Sequence, residues 1–308
     1  MNKPSVVITN SHAAERYAFL WSLPQPLAVF GSMLLVGSSV VYQWMDPMAL
    51  VGIILVAQFP LVMLAERFFA KRKEWLLDRT EFAEDGFWVF GTYLIWVPLY
   101  DKFYDTPIAN AFGSLRDSFG FTVAFEADSI TGLVVLALIV STAIEFIYYW
   151  AHRLQHKFLF FWRIHATHHH ITKMSIARAD RTHPLEFLGL NLGGAVMFAF
   201  LGVTPEVMAV SLVFRTVTAH LNHANLPLTS GLYGWFFTTA EWHQLHHSCK
   251  KTESNNNFGC TIIIWDRLFG TFSGKTTVDQ LGNGTGKALS LLTQLRIPFR
   301  SNETLKSL

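Results

Sequence analysis

Charge is scarce in this chain. Of its 308 residues, 15% are Asp, Glu, Lys or Arg, where a soluble domain carries about 25%, and that deficit excludes an ordinary water-exposed globule. The net charge of +2 is close to neutral and the bases sit in loops beside apolar runs, which excludes a nucleic-acid partner. Cysteine is almost missing. Cys249 and Cys260, with ten residues between them, fit neither CxxC nor zinc-finger spacing, so a disulfide framework is excluded and both read as reduced thiols. There is no GxGxxG fingerprint, no CxxCH haem attachment and no four-cysteine cluster spacing, so the chain carries no signature of its own electron-transfer cofactor. HExxH is absent too. No low-complexity linker and no repeat beyond a doubled HxxHH divides residues 1–308, which read as a single membrane domain.

What is abundant is apolar sequence, 51% hydrophobic and 15% aromatic. The N-terminal residues lack a signal-peptide pattern, so the first apolar segment is expected to stay as an anchor. Residues 27–45 and 48–65 are charge-free runs on either side of Asp46-Pro47. About 20 apolar residues at about 1.5 Å rise cross a hydrocarbon core of about 30 Å, so the two runs read as a tight transmembrane hairpin. Arg67, Lys71, Arg72, Lys73 and Arg79 follow and place the next connection in the cytoplasm by the positive-inside rule. A third span is expected over residues 86–100, a loop on the far side over 101–128, and a fourth span over 130–150. The last returns the chain to Arg153, Lys157, Arg163, Lys173, Arg178 and Arg181.

Residues 185–214 are apolar again, broken by Gly202 and Pro205. Because histidines lie on both sides, this stretch is expected to be a re-entrant helical hairpin rather than a single crossing. Residues 288–299 are amphipathic and are expected on the membrane surface. The fold class is therefore all-α: an integral membrane protein of about four transmembrane helices plus the re-entrant hairpin, under a cytosolic histidine-rich helical cap. Residues 1–129 read as N-terminal membrane spans, 130–272 as the catalytic region and 273–308 as a polar, amphipathic tail, with both termini cytoplasmic. Bacterial inner membrane and endoplasmic reticulum both fit.

Twelve of the thirteen histidines fall between His152 and His247, in bursts: HRLQH, HATHHH, RTHPLE, HLNH and HQLHH. Residues three and four apart share a helical face, so HxxxH and HxxHH aim two or three imidazoles at one point. That is metal-ligand spacing, and imidazole suits iron, copper, nickel and zinc. His12 stands alone and reads as structural. Ten imidazoles exceed the needs of one ion and suit two metals sharing a site. A nearly all-nitrogen pair of sites fits redox iron with positions open to O₂ better than a structural or hydrolytic zinc. Glu145, Tyr149, His152 and His156 follow one another at spacings of four, three and four on one face of the fourth span. Glu145, Asp180, Glu186, Glu241 and Asp266 are the carboxylates near the bursts.

HRLQH, HATHH, HLNHAN, HQLHH and the closing NFGCTIIIWDRLFGTF resemble the fatty acid hydroxylase / sterol desaturase superfamily of integral-membrane di-iron oxygenases, over residues 130–272. The resemblance implies that His152, His156, His165, His168, His169, His220, His223, His243, His246 and His247 hold two iron ions, with O₂ as co-substrate. Glu145, His170, His183, Glu241 and Asp266 are candidates for steadying those ligands. His183 precedes a proline and equally caps the next helix, and Asp266 is expected to pair with Arg267. The implied reaction is oxidation of a C–H bond in a membrane lipid, as a hydroxylase or desaturase. Sterol, fatty acyl, sphingolipid and alkylglycerol substrates are all open. A membrane zinc hydrolase and a metal transporter are the alternatives. Because the chain lacks a redox cofactor signature, an external donor is expected, a ferredoxin or cytochrome b5-like protein with its reductase. Lys71 to Lys73, Arg153, Lys157, Lys250 and Lys251 would form its basic docking rim.

Overall fold

The computed structural model describes residues 17–307 except 122, 123 and 285, with side chains left out at 188–193 and 307; His12 lies outside the described residues. Among the described residues there is no strand, only three isolated bridges. Three helices among the described residues are long and apolar enough to cross a membrane: Tyr17–Tyr42, Pro47–Phe69 and Ile130–Lys157.

The first two, α1 (Pro24–Tyr42) and α2 (Pro47–Phe69), form the expected pair, and Asp46 caps α2 by accepting a hydrogen bond from the Ala49 amide at 2.7 Å. Their outward faces expose Leu27, Leu34, Ile53, Val56 and Leu61, a continuous apolar surface suited to lipid. Residues 101–118, expected as a loop, are helical. Helix α3 (Arg79–Gly91) continues through π turns at Thr92–Trp96 and Asp101–Asp105 into α4 (Thr106–Ser118). Pro98 and Pro107 follow those turns. A proline lacks the amide a regular helix needs, and a one-residue bulge absorbs the missing bond without ending the helix.

Helix α5 (Ile130–Lys157) runs 28 residues, about 42 Å, and carries HRLQH out of the apolar run without a break. Its buried face includes Leu133, Ala137, Val140, Ile144 and then Glu145, Tyr149 and His152. Helix α6 (Leu159–His169) follows at once and holds HATHH. The apolar stretch after it becomes α7 (Phe187–Leu201) and α8 (Pro205–Asn222), and the break falls at Gly202, whose φ of +64° suits a residue without a side chain. Phe125, just before α5, bridges to Val203, so the turn reaches the end of the molecule where α5 begins. The arms go to different neighbours: α7 packs on α4 and α5, and α8 on α1, α2 and α5.

The main core lies between α1, α2, α5 and α8, with Val29, Met33, Leu55, Ala137, Val210 and Phe214 fully or nearly buried. Above it, the cap is braced by charge. Arg178 and Arg181, read from sequence as cytoplasmic-facing bases, are buried against Asp85, with further pairs from Arg178 to Glu81 at 3.1 Å and Arg181 to Glu84 at 3.2 Å. The tail folds back onto the cap. Helix α10 (Leu291–Arg296) turns Gln294 inward, and Ile297 and Leu305 pack on Ala166 of α6, while Arg163 donates to the Pro298 carbonyl at 2.6 Å.

Candidate metal centre

Helix α9 (Ala240–His246), with His247 as its C-cap, carries HQLHH and brings His246 against His152 of α5 and His169 of α6. Two groups of imidazoles result. His152, His156, His165, His169 and His246 form one of five, and His168, His223, His243 and His247 form one of four, the nitrogens of each lying within 4.8 Å of one another. The HH doublets explain why the groups adjoin. Consecutive helical residues point about 100° apart, so His168 and His169 serve different groups, as do His246 and His247. The two motifs exchange roles: His165 and His169, four apart, join the first group and His168 the second, whereas His243 and His247 join the second and His246 the first. The rings of His169 and His247 stack at 4.6 Å across the boundary.

The nitrogen contacts are too close for bare imidazoles. His152 Nε2 lies 2.9 Å from His165 Nε2 and 3.0 Å from His246 Nε2. Each of the three rings faces an acceptor through its other nitrogen: His152 Nδ1 donates to the Phe258 carbonyl at 2.6 Å, His165 Nδ1 to Glu186 Oε1 at 2.5 Å and His246 Nδ1 to the Asn256 carbonyl at 2.8 Å. With the protons held on Nδ1, three lone pairs converge with no donor among them. A cation resolves this, since metal–nitrogen bonds of about 2.0–2.1 Å at right angles place two nitrogens about 2.9 Å apart. In the second group, His243 Nε2 lies 3.2 Å from both His223 Nε2 and His247 Nε2, and His223 Nδ1 donates to the Ala219 carbonyl at 2.9 Å. The donor set therefore fits two metal ions.

Burial, helped by neighbouring imidazoles, holds His168, His169, His243 and His247 well below the usual histidine pKa and pushes His246 down to about 3. Burial likewise takes His223 to about 4. These rings are neutral at physiological pH, as metal ligands must be.

His220 is the predicted ligand that the structure does not bring in. Its ring meets Gln58 Nε2 at 2.5 Å, the Tyr93 hydroxyl at 3.1 Å and Asp180 Oδ1 at 3.4 Å. On α8, a residue three before His223 sits about 60° around the helix, enough to turn it toward α2 and the 79–118 helix.

The predicted steadying residues divide. Asp266 accepts from the amides of Phe258 and Gly259 at 2.8 and 2.7 Å and so fixes the carbonyl that His152 uses; it does not pair with Arg267, whose guanidinium stacks on Phe272 at 3.7 Å. Glu145 accepts from the amides of Cys260 and Thr261 and from Arg215 at 3.1 Å, clamping the same loop. Glu241 serves Ser230 instead, His183 caps the turn at Leu185, and His170 is buried with no hydrogen-bond partner. Sequence reasoning counted Glu186 only among nearby carboxylates, yet it is the acid in contact with a clustered histidine. The carbonyls of Phe258 and Asn256 carry no signal in side-chain identity.

Comparison with known proteins agrees with the motifs. Residues 136–271 match the fatty acid hydroxylase family model. Among curated relatives, an ornithine lipid hydroxylase of Rhizobium tropici is 36% identical over 171 residues, 54% of this chain and 50% of that protein. An alkylglycerol monooxygenase of Caenorhabditis elegans is 30% identical over 42% of this chain and 26% of its own length. A sphinganine C4-monooxygenase of Arabidopsis thaliana is 32% identical over 40% of this chain and 49% of its own length. The matched stretch thus spans half or less of each of these relatives. No solved structure matches.

Proposed function

Residues 136–271 belong to the fatty acid hydroxylase / sterol desaturase superfamily, and from that premise we propose that this chain is a di-iron, O₂-dependent hydroxylase of a membrane lipid. The observation that carries the reading is the pair of adjoining all-imidazole groups, five and four strong, with lone pairs converging in the first. Nine imidazoles, His152, His156, His165, His169 and His246 with His168, His223, His243 and His247, would hold two irons. Iron supplies the change of oxidation state that O₂ activation needs and that zinc lacks. Hydroxylation is preferred to desaturation because the relatives named above are hydroxylases and monooxygenases.

The protein's own part is positioning and exclusion. The acceptors at Phe258, Glu186, Asn256 and Ala219 keep protons on Nδ1 and leave Nε2 free. Burial keeps bulk water from the rings, with Phe258, 3% exposed, lying 5.3–5.7 Å from the rings of His152, His156 and His246. The apolar helices beneath would deliver the lipid from the bilayer, and the cap faces the cytoplasm with both termini, in a bacterial inner membrane or the endoplasmic reticulum. Electrons come from an external carrier of ferredoxin or cytochrome b5 type.

The substrate is a polar lipid with an acyl or alkyl chain, the kind of molecule that ornithine lipids, alkylglycerols and sphinganine have in common. The test is lipid mass spectrometry of cells producing the active protein against cells producing His168→Ala or His246→Ala. A hydroxylated lipid present only with the active protein is expected; identical lipid profiles would refute the reading.

A further inference from the structure

The basic rim expected from sequence is largely spoken for. Lys71 donates to Gln244 Oε1 at 2.8 Å, Arg72 stacks on Trp75 at 4.6 Å and donates to the Val278 carbonyl, and Lys250 pairs with Asp279. Three other bases gather at one place. Where α5 ends, a cleft of about 230 Å³ is lined by His156, Trp162, Lys157, Lys251 and Lys306, and no acidic residue lines it. The three lysines are exposed, and Lys251 and Lys306 have no ion-pair partner among the described residues. Glu253, nearby in sequence, is turned to Ser248 and Lys275. The cleft lies at the end of α5 away from its apolar run, so it opens on the side of the cap facing water.

Its inner wall leads to the metal centre. The Trp162 ring is partly exposed, and its centroid lies 5.2 Å from that of His156 and 5.4 Å from that of His169, both in the five-histidine group. His156 itself lines the cleft. A negatively charged protein seated over the three lysines would stand one aromatic ring from the imidazoles, and long-range attraction would raise its rate of encounter.

Resting on the oxygenase reading, we propose that this cleft is the docking site of an acidic one-electron carrier protein, and that Trp162 passes its electrons to the His156 and His169 side of the centre. The balance is that of hydroxylation. A C–H bond and the O–O bond break, a C–O–H group and water form, two electrons come from two reduced carriers, which leave oxidised, and two protons come from solvent.

The test uses the full-length iron-loaded enzyme in lipid nanodiscs, driven either by a plant-type [2Fe–2S] ferredoxin with its NADPH reductase or by dithionite with methyl viologen, which is too small to need the cleft. The combined Lys157→Glu, Lys251→Glu, Lys306→Glu variant should raise the ferredoxin concentration for half-maximal turnover about tenfold or more at low salt and abolish its salt dependence. Viologen-driven turnover should stay within about twofold of wild type, as for surface substitutions generally. Trp162→Leu should lower the maximal ferredoxin-driven rate without changing the ferredoxin requirement. Should Trp162→Leu also lose viologen-driven turnover through misfolding, the lysine variant decides. An unchanged ferredoxin requirement in the lysine variant, or wild-type turnover with viologen and none with ferredoxin, would overturn the docking site and leave the oxygenase reading standing. No product with either reductant would overturn both.

Discussion

Replacing Glu186 tests the centre at its most committed outer contact. Its Oε1 receives the His165 Nδ1 proton at 2.5 Å with both side chains 1% exposed, and among the described residues the only other side chain reaching that oxygen is Gln155 at 3.4 Å. Glu186→Ala leaves a buried N–H without an acceptor, which costs about 1–3 kcal/mol, and frees His165 to move its proton to the nitrogen that faces His152. Loss of such an outer partner typically weakens metal binding about 10–100-fold, about 1.4–2.7 kcal/mol, so the two estimates agree. Glu186→Gln keeps an acceptor oxygen and should cost severalfold less. The assay is iron per chain after equilibrium dialysis against graded chelator, with thermal denaturation in detergent to separate misfolding from metal loss. If Glu186→Ala holds iron as tightly as wild type, the tautomer argument fails. If Gln is as damaging as Ala, the carboxylate acts through its charge.

The other predictions concern separate links of the argument. His220→Ala should keep both irons, whereas His223→Ala should lose the iron of the four-histidine group; equal losses in metal analysis would restore His220 as a ligand. Burial lifts Asp266 from 3.8 to about 6, so in the metal-free protein its contribution to stability is full below pH 3.8 and is lost as pH rises through about 6. That slope amounts to about 3 kcal/mol at most. Asp266→Asn should flatten it, and an unchanged pH profile of chemical unfolding would show that Asp266 does not titrate there. A reporter placed after Lys73 or Lys306 should read cytoplasm and one near Asn110 the opposite side; opposite readings for Lys73 and Lys306 would break the proposed membrane arrangement.

Much of this was legible in the residues. Apolar runs broken at Asp46-Pro47 and Gly202 gave helices and turns where expected, because length and helix-breaking residues act locally. The 3.6-residue period put His152 with His156 and split each HH doublet, so nine of the ten expected ligands converge. The misses depend on partners distant in sequence. His220 turned away because Gln58, Tyr93 and Asp180, up to 162 residues off, offered it hydrogen bonds. Lys71, Arg72 and Lys250 found acceptors, and Lys306, from the tail, closed a cleft that no local pattern announces. Residues 101–118 stayed helical because π turns accommodate prolines that normally mark a boundary. Phe258 and Asn256 act through backbone carbonyls, which every residue has.

The central claim is that this chain transfers oxygen from O₂ to a lipid C–H bond, and isotope labelling tests it most directly. Iron-loaded enzyme, its native membrane lipids and an electron-supplying reductase chain are incubated under ¹⁸O₂ in ordinary water, and the lipids are analysed by mass spectrometry. The account predicts a lipid carrying one new hydroxyl whose oxygen is ¹⁸O, formed only when reductant is present. A product whose new oxygen comes from water, or one that forms equally well without O₂ and reductant, would contradict it.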